Sequence, residues 1–151
     1  IRPANIYGPN DRFDLERSHV LAAIITKVMT VTDGKITLWG NGQEEKDLLF
    51  ISDLVDLVEL SLEKQRAEFM TVNAGSGELI SIKNLAEKII ALSDRALAIE
   101  WDPQGPTAKT KILLSNSKAQ KLLGWSRKIT LNQGLQKTID WFKQNKLERK
   151  R

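Results

Sequence analysis

Cysteine is absent from this chain, histidine and tyrosine occur once each, and proline only four times. Without cysteine there can be no disulfide, no thiolate metal site and no thiol nucleophile. No apolar run approaches the roughly 20 residues of a membrane span, and no signal-peptide pattern opens the sequence. Together these absences lead to the expectation of a cytoplasmic protein with no membrane partner. Missing too is any strand–GxxGxxG–helix fingerprint for a dinucleotide. "GNG" and "GSG" follow apolar segments, but neither has the third glycine, and both read as turns.

Charge of one sign is scarce outside one segment. The net charge is +4, and residues 143–151 ("KQNKLERKR") carry all of it. The 142 residues before them hold 18 basic and 18 acidic side chains and are neutral. A basic end of this kind is ordinarily a solvated tail. The aromatics sit beside apolar residues rather than interleaved with cations, so no stacking platform for nucleic acid is expected.

What is present is an alternation of strand and helix. "ANIY" reads as a strand stopped by Gly8-Pro9. Ser18 is the expected N-cap of a helix to about Met29, with Val20, Ile24 and Val28 on one face. "KITLW" and "KDLLFI" read as strands, the second followed by a helix capped by Ser52 or Asp53 and carrying Leu54, Val55, Val58 and Leu62. After the strand-like "FMTVNA", Ser81 caps a helix with Ile82, Leu85, Ile89 and Leu92. "ALAIEW" is a strand, and Ser117 with Gln120 suggests a capping box for a short helix ending at Gly124. Thr130 and Gln133 suggest a second box, opening a helix with Leu131, Leu135, Ile139 and Phe142. The pattern predicts an α/β fold. Residues 1–142 are expected to form a single substrate-binding domain, with 143–151 as the tail. The first strand has no partner before it and no methionine precedes it, so a piece of a larger protein is expected.

Four motifs occur in order: "RPANIYGPND", "ITLWGNGQEEKDLLFISDLVD", "VNAGSGELISIKNLAEKI" and "SKAQKLLGW". In this order and spacing they resemble the extended short-chain dehydrogenase/reductases, the NAD(P)-dependent nucleotide-sugar epimerases, dehydratases and reductases. "NIYGPNDRFDLERSHV" and the loop "DPQGPTAKTK" resemble most the GDP-L-fucose synthase branch, whose members are GDP-4-keto-6-deoxymannose 3,5-epimerase-4-reductases. The resemblance implies the C-terminal substrate-binding part of such an enzyme, with a few strands of its Rossmann sheet. The N-terminal cofactor-binding half would be absent, and with it the Tyr-x-x-x-Lys pair. NADP or NAD would then be bound mainly by that half, and a homodimer is possible for the full-length enzyme.

A nucleotide diphosphate sugar needs cations for its phosphates, a flat or apolar wall, and fixed amides or hydroxyls. Asn5 offers a donor and an acceptor after the first strand, or else a turn-stabilising amide. By resemblance, Asn5, Lys27, Trp39, Lys46, Lys109 and Lys111 contact substrate, and His19 is the catalytic acid. Imidazole can carry protons near neutrality, as exchange beside a carbonyl requires. The bland reading of His19 is an exposed residue at a helix start. Trp39 could equally pack in the core, where Trp101, Trp125 and Trp141 are assigned. Lysine at 27 and 46 stands where the family has arginine, replacing a two-pronged phosphate fork by a point charge.

Two other readings remain. One is a sister activity, a UDP- or dTDP-sugar 4-epimerase or dehydratase. The other is a truncated, non-catalytic module that binds a sugar nucleotide or a protein. On the favoured reading the isolated chain is expected to be inactive.

Overall fold

The computed structural model describes residues 1–105 and 111–147. Among the described residues, three small sheets and five α-helices arise in the alternation that the apolar patterning predicts. Strand β1 (Arg2–Pro3) pairs in parallel with β5 (Asn73–Ala74), and β2 (Asn5–Tyr7) in parallel with β4 (Glu45–Phe50). The far side of β4 takes β6 (Leu79–Ser81) antiparallel, and β3 (Lys35–Trp39) pairs in parallel with β7 (Ala98–Asp102). The Gly-Asn-Gly segment therefore does not close a hairpin between β3 and β4. It carries the chain from one sheet to another, and the Gly40 amide donates to the Asp102 carbonyl at 2.7 Å.

Helices α1 (Val20–Thr30), α3 (Ile82–Leu92) and α5 (Leu131–Phe142) bury their apolar stripes together. Leu21, Ile24, Ile25, Leu85, Ile89, Leu135 and Ile139 are its innermost residues. A second core joins α2 (Ile51–Lys64) to α4 (Ser117–Leu123) through Leu49, Leu57, Leu123 and Trp125. Trp125 is fully buried, and Trp101 and Trp141 pack partly buried against the larger core.

Several helix starts differ from the sequence reading. Ser81 caps α3 by accepting from the Asn84 amide, and Thr130 with Gln133 closes a complete capping box on α5. Helix α4, however, starts after Asn116 without a side-chain cap, and α1 after His19 without one. Phe50 precedes α2, so Ser52 and Asp53 lie inside its first turn. Asp53 is buried there and accepts from the amides of Lys128 (3.0 Å) and Ile129 (3.2 Å). An expected cap thus ties α5's entry loop to α2. The apolar side expected of α2 holds only at Leu54, which packs partly buried on the second core: Leu57 is buried, whereas Val55, Val58 and Leu62 are exposed. Past α5, residues 143–147 continue as a π-helical turn, with Leu147 against the core, so the helical chain runs beyond the boundary at 142.

The segment between β2 and α1 is pinned from both ends. Gly8 (φ +154°) lies so close to Ile51 that a Cβ would sit 2.6 Å from Cγ2. Phe13 is buried, stacked on Trp141 (5.6 Å) and edge-on to Phe142 (5.0 Å). The Thr26 hydroxyl lies 3.0 Å from the Phe13 carbonyl. These contacts hold residues 11–19 over one end of the β2–β4 pair.

Candidate functional site

There the chain encloses a cleft of about 360 Å³, at the lower end of the size range of small-molecule sites. Its wall is built from β2, the 11–19 segment, α1, Trp39 and the start of β4. Asn5, His19, Lys27, Trp39 and Lys46 all line it. Register explains part of this: Asn5 stands opposite Leu48, and Lys46 lies two residues before Leu48. The Asn5 Nδ2 donates to the Asp47 carbonyl at 3.0 Å, which fixes the amide plane. The hydrogen bond to β4 replaces the turn-stabilising role that was the other reading of Asn5.

His19 is exposed at the N-terminal end of α1. One helical face later, Lys27 donates to the Thr37 carbonyl at 2.6 Å, with Nζ 5.9 Å from the centre of the Trp39 ring. Burial holds the Lys27 ammonium below its ordinary pKa. Trp39 is 57% exposed, so it is not a core residue; it packs on Gly105 and leaves most of its ring to the cleft and solvent. Lys46 is half-buried and ion-paired with Glu44, which also lines the cleft.

Lys111 is not brought to this place. It pairs with Glu45 at 2.6 Å, and Glu45 and Lys111 are not part of the cleft wall. The alternation along β4 puts Lys46 and Glu45 on opposite sides. Lys109 lies outside the described residues. The sequence reading missed the acids of the cleft, Asp11, Glu16 and Glu44. Asp11 follows Asn5 in the "NIYGPND" motif and Glu44 directly precedes "EK", so adjacency to chosen residues was the available signal. The Asp11 Oδ2 and Ser18 Oγ atoms are buried without a hydrogen-bond partner among the described residues; the residue expected to cap α1 makes no cap there.

The buried acid of this region, Asp47, serves the scaffold. Its Oδ1 accepts from the amide and hydroxyl of Ser76, both at 2.7 Å, and its Oδ2 from the Leu114 amide at 3.2 Å. The only tyrosine is also structural. Tyr7 is buried, its hydroxyl faces the Leu131 carbonyl at 3.5 Å, and burial pushes its pKa well up.

The glycines that follow the parallel strands β2 and β5 leave no room for a pyrophosphate. A Cβ on Gly8 would meet Ile51 at 2.6 Å, and one on Gly75 would meet the Asp47 carboxylate at 2.5 Å. Both approaches are already filled by the protein's own side chains.

Parallel strand pairs flanked by helices, with a polar cleft beyond the end of β2, define an α/β fold with one candidate ligand site at a strand end. The sequence profile of the NAD dependent epimerase/dehydratase family matches residues 1–75. A putative GDP-L-fucose synthase 2 of Arabidopsis thaliana is 33% identical over 98% of this chain and 45% of its own length. A UDP-glucose 4-epimerase of Thermotoga maritima, solved with UDP-glucose, superposes with a TM-score of 0.81 at 25% identity, covering 95% of this chain and 44% of that one. A GDP-L-fucose synthetase of Naegleria fowleri bound to NADP shares the fold, with a TM-score of 0.86 at 22% identity over 95% of this chain and 44% of that one. The chain belongs to the NAD dependent epimerase/dehydratase family and is similar to the C-terminal portion of the extended short-chain dehydrogenase/reductases. It spans about half the length of the curated relatives it matches.

Proposed function

We propose that this chain is the nucleotide-sugar-binding part of an NAD(P)-dependent epimerase/reductase of the GDP-L-fucose synthase type. The observation that carries the reading is the convergence of Asn5, His19, Lys27, Trp39 and Lys46 on one cleft. Lys46 and Lys27 supply positive charge for a diphosphate, Trp39 supplies a flat exposed ring, and Asn5 an amide of fixed orientation. The similarity to GDP-L-fucose synthases supports this choice of sugar chemistry.

Beside a 4-keto group, protons on C3 and C5 are acidic because the resulting charge spreads to the carbonyl oxygen. Inversion needs a group that returns a proton to the opposite face. His19 is the one side chain of the cleft wall whose ordinary pKa lies near neutrality. In the full-length enzyme a nicotinamide held mainly by the other half would supply the hydride that reduces C4. The chain's sole tyrosine is buried and its sequence context is not Tyr-x-x-x-Lys, so the isolated 151 residues transfer no hydride. NADPH oxidation by the isolated chain with the 4-keto sugar would contradict this.

In the complete enzyme, His19→Gln abolishes C3/C5 epimerisation, read as loss of solvent deuterium incorporation, and spares cofactor binding. Unchanged incorporation removes His19 from the mechanism. The likeness to a structure solved with UDP-glucose favours a second reading, a UDP-sugar 4-epimerase. Tighter binding of UDP-glucose than of GDP-mannose would select it.

A further inference from the structure

The inference rests on the diphosphate reading of the cleft and concerns what its main cation does before a ligand arrives. Lys46 is not free. Its ammonium is ion-paired with Glu44, and both side chains are only 20% exposed. Both line the cleft. The Glu44 backbone is fixed as well, because its carbonyl accepts from the Ile82 amide at 2.8 Å. Around them, the cleft holds the carboxylates of Asp11, Glu16 and Glu44 against the ammonium groups of Lys27 and Lys46. Lys27 is itself engaged by the Thr37 carbonyl. Such a cleft, with more carboxylates than ammonium groups, does not attract phosphate by its overall charge.

We infer that Glu44 is a resident anion that occupies Lys46 and that a diphosphate must displace. A half-buried ammonium cannot be left unpaired without a large penalty. A neutral sugar or nucleoside therefore cannot open this pair. A group bearing two negative charges offers Lys46 more than the carboxylate does, and Glu44 then turns to solvent at the mouth of the cleft. Glu44 thus sets specificity: it lowers affinity for every anion and rejects neutral ligands at this subsite.

The test is calorimetric titration of the 151-residue chain with GDP-mannose. Glu44→Gln keeps the shape and removes the competing charge, and it should raise affinity about tenfold, the order expected when one charge contact at a protein surface is released. Lys46→Gln should lower affinity, and adding Glu44→Gln to it should give no further gain, since the two act as one unit. Binding by the wild type with no gain in Glu44→Gln overturns the displacement role alone. An equal gain in the Lys46→Gln background also overturns it, because Glu44 would then act through the general field. Absence of binding by both the wild type and Glu44→Gln overturns the diphosphate reading itself, and this inference with it.

Discussion

Tyr7 shows at the scale of one residue how burial redirects a group that looks catalytic by type. Its phenol stays protonated in the folded chain well above pH 10, where the unfolded chain's phenol ionises. The folded state then binds that proton more tightly, so stability falls as pH rises through and beyond 10. Tyr7→Phe removes this loss. Thermal melting should show the variant equal to or slightly below wild type at pH 7 and relatively more stable above pH 10. A constant difference between the two across that window would refute the assignment.

Asp53 makes a comparable case for carboxylates. Its two oxygens take the amides of Lys128 and Ile129 in a buried setting. Asp53→Ala leaves both donors without their partner and should cost about 3 kcal/mol, from the usual value of hydrogen bonds to charged groups. Denaturant unfolding measures this, and a loss below about 1 kcal/mol would mean that water replaces the carboxylate.

At the scale of elements, helix α5 sets two opposing effects against each other at Gly134. Alanine there would gain up to about 1 kcal/mol of helix propensity. Its Cβ would, however, lie 2.2 Å from the Tyr7 hydroxyl and 2.9 Å from the Phe50 ring. Overpacking of this kind costs about 1–3 kcal/mol, and the neighbours are rigid ring atoms. Gly134→Ala should therefore lower the melting temperature, while Thr130→Ala, which opens the capping box, should cost about 1 kcal/mol.

The helices of this chain were legible to the extent that their signals are local. Thr130 and Gln133 sit three residues apart and find each other within one turn, as does Ser81 with the Asn84 amide. Asp53 and Ser18 were misjudged because their surroundings come from elsewhere in the chain. Residues 128–129 claim Asp53 from 75 positions away, and Ser18 Oγ is buried without a partner among the described residues. Strand pairing was illegible for the same reason: β3 meets β7 across some 60 residues, which no pattern around Gly40–Gly42 announces. The three exposed residues expected on the inner face of α2 belong here too, since Val55, Val58 and Leu62 fit the helical period as well as Leu57 does.

The whole molecule brings together a cleft whose wall draws on residues from Asn5 to Ile82. Five of the seven side chains chosen on family resemblance meet there. Resemblance could place them because they ride on β2, α1, β3 and β4, elements whose order is fixed by topology. It could not show that Glu44 holds Lys46, or that Lys111 turns to Glu45, because ion pairs depend on side chains that vary independently of the fold. A groove between α3 and β7, lined by Lys83, Ile90 and Trp101, offers an alternative surface of similar size.

Titration of the isotopically labelled chain with GDP-mannose, followed by heteronuclear NMR, distinguishes the two surfaces. The account predicts saturable shifts at the Asn5 side-chain amide, the His19 ring, the Trp39 indole and the Lys27 and Lys46 ammonium groups, with the α3–β7 groove unmoved. Shifts confined to Lys83, Ile90 and Trp101, or none at saturating ligand, would contradict it.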